Sequence, residues 1–228
     1  MKVTYYGHSC FLREIGAYCV IFDPFISPNP LAARVKIEEI EADFILLSHG
    51  HTDHIHDVER IAARTKAPVL APYETADYLR QRGVEHLIDG NVGGRFDFPF
   101  GTVRMVAALH SNRLSDGAYG GEAVGFVVET TACTVYYAGD TALTQEMKTF
   151  AELYPGGFDA AFLPVGGHYT MDVADALGAA RWCGARRIVG MHFDTFPSLV
   201  LDHATVAAQA RAAGVELLLP SVEQNFAL

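Results

Sequence analysis

The chain has 228 residues, of which half are apolar and 19% are charged, so it can bury a sizeable core and disorder is not expected. It contains no apolar run of about 18 residues, which excludes a membrane-spanning helix, and its first residues lack the apolar stretch of a secretory signal, which favours a cytoplasmic location. The formal net charge of −10 argues against a protein that neutralises nucleic-acid phosphates with a basic face.

The first half of the chain alternates short apolar runs with amphipathic stretches. This pattern predicts strands at the N-terminus and at residues 18–22, 44–47 and 68–71. It predicts helices at residues 58–66 and 74–82, and Gly83 ends the second of them.

Glycines separate the β-type runs between residues 87 and 137, which is typical of an antiparallel meander. After Asp140 the alternation returns. It predicts helices at residues 144–153, 173–183 and 204–213, and strands at residues 160–164, 187–191 and 215–219. Strands followed by helices in both halves predict an α/β fold with two sheets packed face to face and helices outside, in a single domain spanning residues 1–228.

The most informative stretch is His49-Gly50-His51-Thr52-Asp53-His54, which directly follows an apolar run. His49 and His51 are two residues apart, so on an extended chain they leave on the same side. Asp53 and His54 come as the chain turns toward the next helix and can face a second position nearby. Imidazoles and carboxylates at this density suit Zn²⁺, Fe²⁺ or Mn²⁺, and the alternative is a solvated polar loop.

This motif resembles that of the metallo-β-lactamase superfamily, and the resemblance covers nearly the whole chain. The family's later motifs occur in order at predicted strand ends, as Asp23, His110, Asp140 and His192. The resemblance implies a four-layer αββα sandwich that binds two divalent metal ions, Zn²⁺ or Mn²⁺, with Fe²⁺ also compatible.

The resemblance also implies a role for each matched residue. One metal ion would be bound by His49, His51 and His110. The other would be bound by Asp53, His54 and His192, with Asp140 between the two ions. Asp23 would orient an imidazole or the metal-binding loop rather than bind metal.

Three further segments are similar to a bacterial and archaeal branch of metal-dependent hydrolases related to L-ascorbate-6-phosphate lactonase. These segments are residues 5–11, 166–171 and 192–197. The branch implies that a shared water, held as hydroxide by both ions, attacks a small ester, lactone or phosphoester. Asp53 would also orient this water or accept its proton.

Residues of these segments and of the loop after His110 are candidates for the substrate side of the reaction. His8 and His168 are predicted at the rim of the site, where His8 would contact substrate and His168 would act in catalysis by protonating the leaving group. The alternative for both is a hydrogen bond to backbone near a strand end. Arg113, Tyr169 and Thr195 are predicted substrate contacts.

Two other functions share the same motifs. One is a metal-binding or regulatory protein without significant catalysis, and the other is a nucleic-acid phosphodiesterase, which the negative charge disfavours. We therefore expect a small-molecule substrate and neither a nucleic-acid nor a membrane partner. A chain of this size and apolar content would tolerate a homo-oligomer.

Overall fold

The computed structural model describes residues 2–228 and builds two seven-stranded sheets. The first contains β1 (Lys2–Gly7), β2 (Cys10–Ile15), β3 (Tyr18–Phe22), β4 (Phe44–Leu46), β5 (Val69–Pro72), β6 (Leu87–Gly90) and β14 (Asn225–Ala227), in the order β14-β1-β2-β3-β4-β5-β6. The second contains β7 (Arg95–Phe98), β8 (Gly101–Ala107), β9 (Val124–Glu129), β10 (Thr134–Tyr137), β11 (Ala160–Pro164), β12 (Arg187–Met191) and β13 (Glu216–Leu218), in the order β13-β12-β11-β10-β9-β8-β7.

Helices flank both sheets. The first half contributes α1 (Thr52–Ile55), α2 (Val58–Thr65) and α3 (Tyr73–Gln81), and the second half contributes α4 (Glu146–Leu153), α5 (Val173–Cys183) and α6 (His203–Ala212). Helix α3 packs on β5 and β6, whereas α5 packs on β11 and β12. Within residues 2–228, no helix combines the length and apolar character needed to cross a membrane.

Side-chain alternation along the strands explains why the two sheets stack. On β3, Phe22 points to the space between the sheets and lies 4.8 Å, between ring centroids, from Tyr137 of β10. Its neighbour Ile21 belongs instead to the apolar cluster under α2 and α3. Each such fully buried aromatic or aliphatic side chain contributes about 1.5–3 kcal/mol. The predicted four-layer αββα sandwich is therefore confirmed.

Two strands at the edges of the first sheet differ from the sequence prediction. The chain does not end on the predicted strand near residue 217, because β14 follows it and pairs antiparallel with β1. The strand β6 was also absent from the prediction. Both are short, and neither contains a fully buried residue, so they lack the apolar runs on which such predictions depend.

The carboxyl ends of four strands meet at one edge of the sandwich. β10, β11 and β12 are parallel, and β8 shares their direction because β9 is antiparallel to both β8 and β10. The loops that follow β8, β10 and β12, together with the loop after β4, carry His110, Asp140, His192 and the histidine motif, respectively.

Candidate metal centre

The histidine motif occupies the turn from β4 into the one-turn helix α1. His49 lies in the loop and is fully buried, whereas His51 is half-buried and precedes α1 as its capping residue, with extended backbone angles. Asp53 and His54 follow within the single turn of α1, and the His54 ring lies 4.1 Å from the His49 ring, between centroids. Their possible ligand atoms nevertheless fall into two main clusters, one with His49 and His51 and the other with Asp53 and His54.

Gly50 allows this loop to lie against the segment that carries His110. A Cβ at position 50 would come within 2.4 Å of the Leu114 side chain and 3.1 Å of Asn112 Oδ1, so a larger residue would force these side chains to shift. The Gly50 amide donates a hydrogen bond of 2.7 Å to Oδ1 of buried Asn112. This contact fixes the distance between the motif and His110.

We call His49, His51 and His110 the first ligand group. One ring nitrogen from each lies within 4.8 Å of the other two, and Nε2 of His49 is 3.0 Å from Nδ1 of His51. Two imidazole lone pairs at that distance repel unless a proton or a cation lies between them. The three residues therefore converge as the sequence predicted.

We call Asp53, His54 and His192 the second ligand group. Their ligand atoms also lie within 4.8 Å of one another, and His8 belongs to the same cluster. The His8 ring lies 4.0 Å from the His192 ring, between centroids. This cluster thus contains the three residues of the second ligand group together with His8, which was expected to contact substrate.

Asp140 lies between the two groups. Its Oδ2 is 3.5 Å from Nε2 of His110, 3.4 Å from Nε2 of His54 and 3.0 Å from Nε2 of His192. A single carboxylate oxygen thus faces ring nitrogens of both groups, which is the position expected of a ligand shared by two cations.

Buried polar atoms without hydrogen-bond partners show that these residues fit a metal. Among the described residues, His54 Nε2 and Asp140 Oδ1 are buried and make no hydrogen bond. Leaving such groups unpaired costs about 1–3 kcal/mol each. Cations that coordinate the cluster would remove this cost, and its nitrogen and oxygen donors suit Zn²⁺, Mn²⁺ or Fe²⁺.

The electrostatics of the first ligand group favour neutral imidazoles. Burial lowers the pKa of His49 well below its ordinary value, and it also lowers the pKa values of His51 and His110. Because metal ions bind the neutral form of imidazole, these side chains are in the protonation state that binding requires.

The second group combines carboxylates with a histidine that favours positive charge. Burial opposes a charge on His54, but Asp140 and Asp23 outweigh it and raise the pKa of His54 well above its ordinary value. Burial likewise raises the pKa of Asp140, yet His192 and His54 outweigh that effect and hold it well below the usual range. The pocket is thus built for positive charge, which a metal ion supplies in place of a proton.

Asp23 orients two of the ligands. Its Oδ2 accepts a hydrogen bond of 2.8 Å from Nδ1 of His54, so Nε2 of that ring faces the metal position. The same oxygen accepts a 2.6 Å bond from the Ser48 hydroxyl, which lies 2.9 Å from Nδ1 of His49. The Tyr137 hydroxyl donates to it at 2.7 Å. The predicted orienting role of Asp23 agrees with this geometry.

Three residues of the site have left-handed backbone conformations that favour glycine. The φ angles are 56° at His8, 42° at Asp23 and 57° at His192. Such a conformation costs roughly 1–2 kcal/mol for a residue with a side chain. It persists here because the hydrogen bonds of Asp23 and the 2.8 Å bond from the His192 amide to the His8 carbonyl hold the chain in place.

The structure corrects the expected positions of His8 and Thr195. His8 is fully buried and Thr195 is 5% exposed, so neither lies at the rim where a substrate could touch it. Nε2 of His8 donates to Oδ2 of Asp53 at 3.0 Å, and Nδ1 lies 3.0 Å from the Thr195 hydroxyl, which can donate to it. His8 therefore holds Asp53, and Thr195 contacts the other ring nitrogen of His8.

An open cleft of about 770 Å³ lies over both ligand groups. Tyr169 lines it, as predicted for a substrate contact. A smaller cavity of about 400 Å³, lined by Arg113, opens beside it and shares His51 and Asp53 with it. His168 is exposed next to Tyr169 and is not among the residues that line the cleft, so its catalytic role stays a prediction.

Several residues that shape the site were not expected from the sequence. Phe25 and Phe196 form a wall of the cleft, Ser48 and Tyr137 hold Asp23, and Asn112 positions Gly50. None belongs to a residue type that signals metal chemistry. Their only sequence signal is proximity in the chain to predicted site residues, which does not distinguish them from ordinary core residues.

Comparisons with known proteins agree with this geometry. Residues 18–193 match the family model described as the beta-lactamase superfamily domain. The chain is 42% identical, over the full length of both proteins, to a UPF0173 metal-dependent hydrolase of Methylacidiphilum infernorum. It is 41% identical, again over the full length of both, to a UPF0173 metal-dependent hydrolase of Flavobacterium johnsoniae.

A solved structure extends the likeness to three dimensions. Igni18, a metallo hydrolase from the archaeon Ignicoccus hospitalis, superimposes with a TM-score of 0.87 at 31% sequence identity, covering 100% of this chain and 98% of that one. The fold and the sequence thus point to the same group of proteins.

Proposed function

Since the chain belongs to the beta-lactamase superfamily, and within it to the UPF0173 metal-dependent hydrolases, we propose that it binds two divalent metal ions and hydrolyses a small ester, lactone or phosphoester. The ions would be Zn²⁺ or Mn²⁺, because the ligand groups offer nitrogen and oxygen donors without thiolate. One ion is assigned to each ligand group, and Asp140 is shared.

The position of Asp140 is the observation that carries this proposal. Its Oδ2 lies within 3.5 Å of ring nitrogens from both ligand groups. A site for a single ion would not need six further ligand residues around a central carboxylate. The arrangement therefore favours a pair of ions over one.

Bound at these positions, such ions supply Lewis acidity and lower the pKa of a water molecule toward neutrality. Asp53 lies at the floor of the cleft, where its side chain is 28% exposed. Although burial acts to raise its pKa, the hydrogen bond from His8 holds the pKa below the usual range. Asp53 would orient the attacking water as a hydrogen-bond acceptor or accept its proton.

A small-molecule substrate fits the surroundings of the site better than a nucleic acid. The protein carries a net charge of −10. Of the described residues that line the cleft and the adjoining cavity, Arg113 is the only arginine or lysine. Phosphodiester backbones are bound by several cationic groups at once. A cleft of about 770 Å³ has the size of small-molecule sites.

Metal content and chelation-sensitive turnover test the proposal together. We expect two ions per chain in protein loaded with Zn²⁺ or Mn²⁺, and hydrolysis of some members of an ester, lactone and phosphoester panel that chelation abolishes. His51→Ala should lower turnover by on the order of a hundredfold or more, since it removes a ligand. His86→Ala is the matched control, because His86 is exposed and outside the site.

Two results would contradict the proposal. One is full turnover by the chelated protein or by His51→Ala. The other is tight binding of two ions with no turnover of any substrate class, which would identify a metal-binding protein without catalysis.

A further inference from the structure

The cleft has a wall that suits an apolar group. We call Phe25, Tyr169, Phe196 and Pro197 the apolar lobe, and among residues 2–228 no lysine or arginine lines this part of the cleft. The Phe25 and Phe196 rings lie 6.5 Å apart, and both meet the buried His8 ring edge-on, at 5.6 and 5.5 Å. Because His8 is itself held by two hydrogen bonds, this aromatic wall is fixed before a ligand arrives.

The adjoining cavity has the opposite character. We call Arg113, Leu114 and Ser115 the cationic lobe, which shares His51, Thr52 and Asp53 with the cleft. One residue of each ligand group, His51 and Asp53, therefore lines both the cleft and the adjoining cavity. A substrate whose reacting bond lies over the metal positions would extend into both.

Arg113 is available to bind an anion. Within residues 2–228, no carboxylate lies within 4.0 Å of its guanidinium, whereas Arg60, Arg80 and Arg82 are each engaged in an ion pair. Its backbone is held by a bridge to Tyr119, and the next residue, Leu114, donates a 2.9 Å hydrogen bond to the Ala118 carbonyl. Gly117 leaves room for the side chain, since a Cβ there would lie 3.0 Å from Nη2 of Arg113.

Charge separates the two lobes further. Among the described residues, no cationic side chain lines the apolar lobe, so an anionic group there would find no side chain of opposite charge. In the cationic lobe the same group could form a charge-assisted hydrogen bond with the guanidinium. The geometry points to an amphiphilic substrate, with an aromatic or branched apolar group in the apolar lobe and a carboxylate or phosphate at Arg113.

The kind of bond that is broken rests on the proposed function, whereas the two binding lobes do not depend on it. Hydrolysis by a pH-stat assay of four esters tests it in the metal-loaded full chain. The esters are O-phenylacetylglycolate, O-acetylglycolate, ethylene glycol monophenylacetate and 2-(phenylacetoxy)ethyl phosphate. We expect kcat/KM to be at least about tenfold higher for an ester that carries both features than for either ester that carries one. Which of the two anionic phenylacetates is hydrolysed faster shows whether the site prefers a carboxylate or a phosphate.

One substitution in each lobe tests whether that lobe causes the corresponding substrate preference. Arg113→Gln should reduce the preference for the anionic over the neutral phenylacetate about tenfold, and Arg211→Gln, an exposed arginine of α6, is its control. Phe196→Ser should reduce the preference for phenylacetyl over acetyl about tenfold, and Phe196→Leu should retain most of it. Val200→Ala, an exposed apolar residue outside the cleft lining, is the control for the pair.

Binding of N-phenylacetylglycine, measured by calorimetry, separates the failure of this inference from that of the proposed function. If no ester is hydrolysed but Arg113→Gln and Phe196→Ser weaken this binding, the proposed function fails and the two lobes stand. If esters are hydrolysed at rates independent of both features, and neither variant changes binding, the two lobes are overturned and the hydrolase stands.

Discussion

The two ligand groups lie at the same edge of the sandwich but are held in different ways. In the first group, Ser48 orients His49, whereas His51 is half-buried and the His110 side chain is 12% exposed. In the second group, two ligands are each held by a hydrogen bond to another buried side chain. His54 is held by Asp23, and Asp53 is held by His8.

The groups also differ in charge. The first consists of three imidazoles that burial keeps neutral, whereas the second contributes the Asp53 carboxylate. A divalent cation is attracted more strongly where a carboxylate is ionised and partly buried. We therefore expect the second group to bind its ion more tightly and the first to exchange its ion more readily.

Loss of the shared carboxylate should have the largest effect, because it impairs both groups. Asp140→Asn keeps the shape of the side chain but removes its charge. We expect kcat/KM to fall on the order of a thousandfold and the bound metal to fall below two ions per chain. Asp89→Asn, at an exposed carboxylate, is the control. Wild-type metal content in Asp140→Asn would show that Asp140 is not shared.

Removal of Asp23 should have the next largest effect. Asp23→Ala leaves the Ser48 hydroxyl, Tyr137 hydroxyl and His54 ring without their buried acceptor. We expect the free energy of unfolding of the metal-free protein to fall by about 3 kcal/mol, as measured by urea denaturation. Asp89→Ala should change it by less than about 0.5 kcal/mol. An equally small change for Asp23→Ala would mean that this network does not stabilise the fold.

Substitution of His8 should affect the second group alone. His8→Phe keeps an aromatic ring beside Phe25 but removes the hydrogen bond to Asp53. We expect the affinity of the tighter site to fall roughly 10- to 100-fold, while the weaker site is unchanged. His8→Gln, whose amide can donate to Asp53, should recover part of the loss in metal titrations by calorimetry. An equal loss at both sites would argue for a general disturbance.

Removal of one hydroxyl should have the smallest effect. Tyr137→Phe deletes a single buried donor to Asp23, which keeps its bonds from Ser48 and His54. The expected decrease in unfolding free energy is about 1 kcal/mol, with two ions still bound. A loss as large as that of Asp23→Ala would show that the hydroxyl, rather than the carboxylate, is the centre of the network.

The sequence predicted the features that depend on local pattern. His49, His51, Asp53 and His54 are neighbours in the chain, so their spacing alone indicated two pairs. The strands β10, β11 and β12 are apolar runs, which is why their position was predictable.

Features that depend on distant contacts were not predictable. His8 is 45 residues from Asp53 and 187 residues from Thr195, and only the packing of β1 and β2 beside the second sheet brings them together. His8 was therefore expected at the rim, although its ring is buried. The three-residue strand β14 could not be predicted for the same reason. It pairs with β1, which is distant in sequence, and it contains no buried apolar run of its own.

The most direct test of two ions sharing Asp140 is a stepwise titration of the chelated protein with Mn²⁺, followed by electron paramagnetic resonance. We expect two bound ions per chain, the first giving the signal of an isolated ion. The second should convert this signal to that of a magnetically coupled pair. Saturation at one ion per chain, or two ions without coupling, would contradict this expectation.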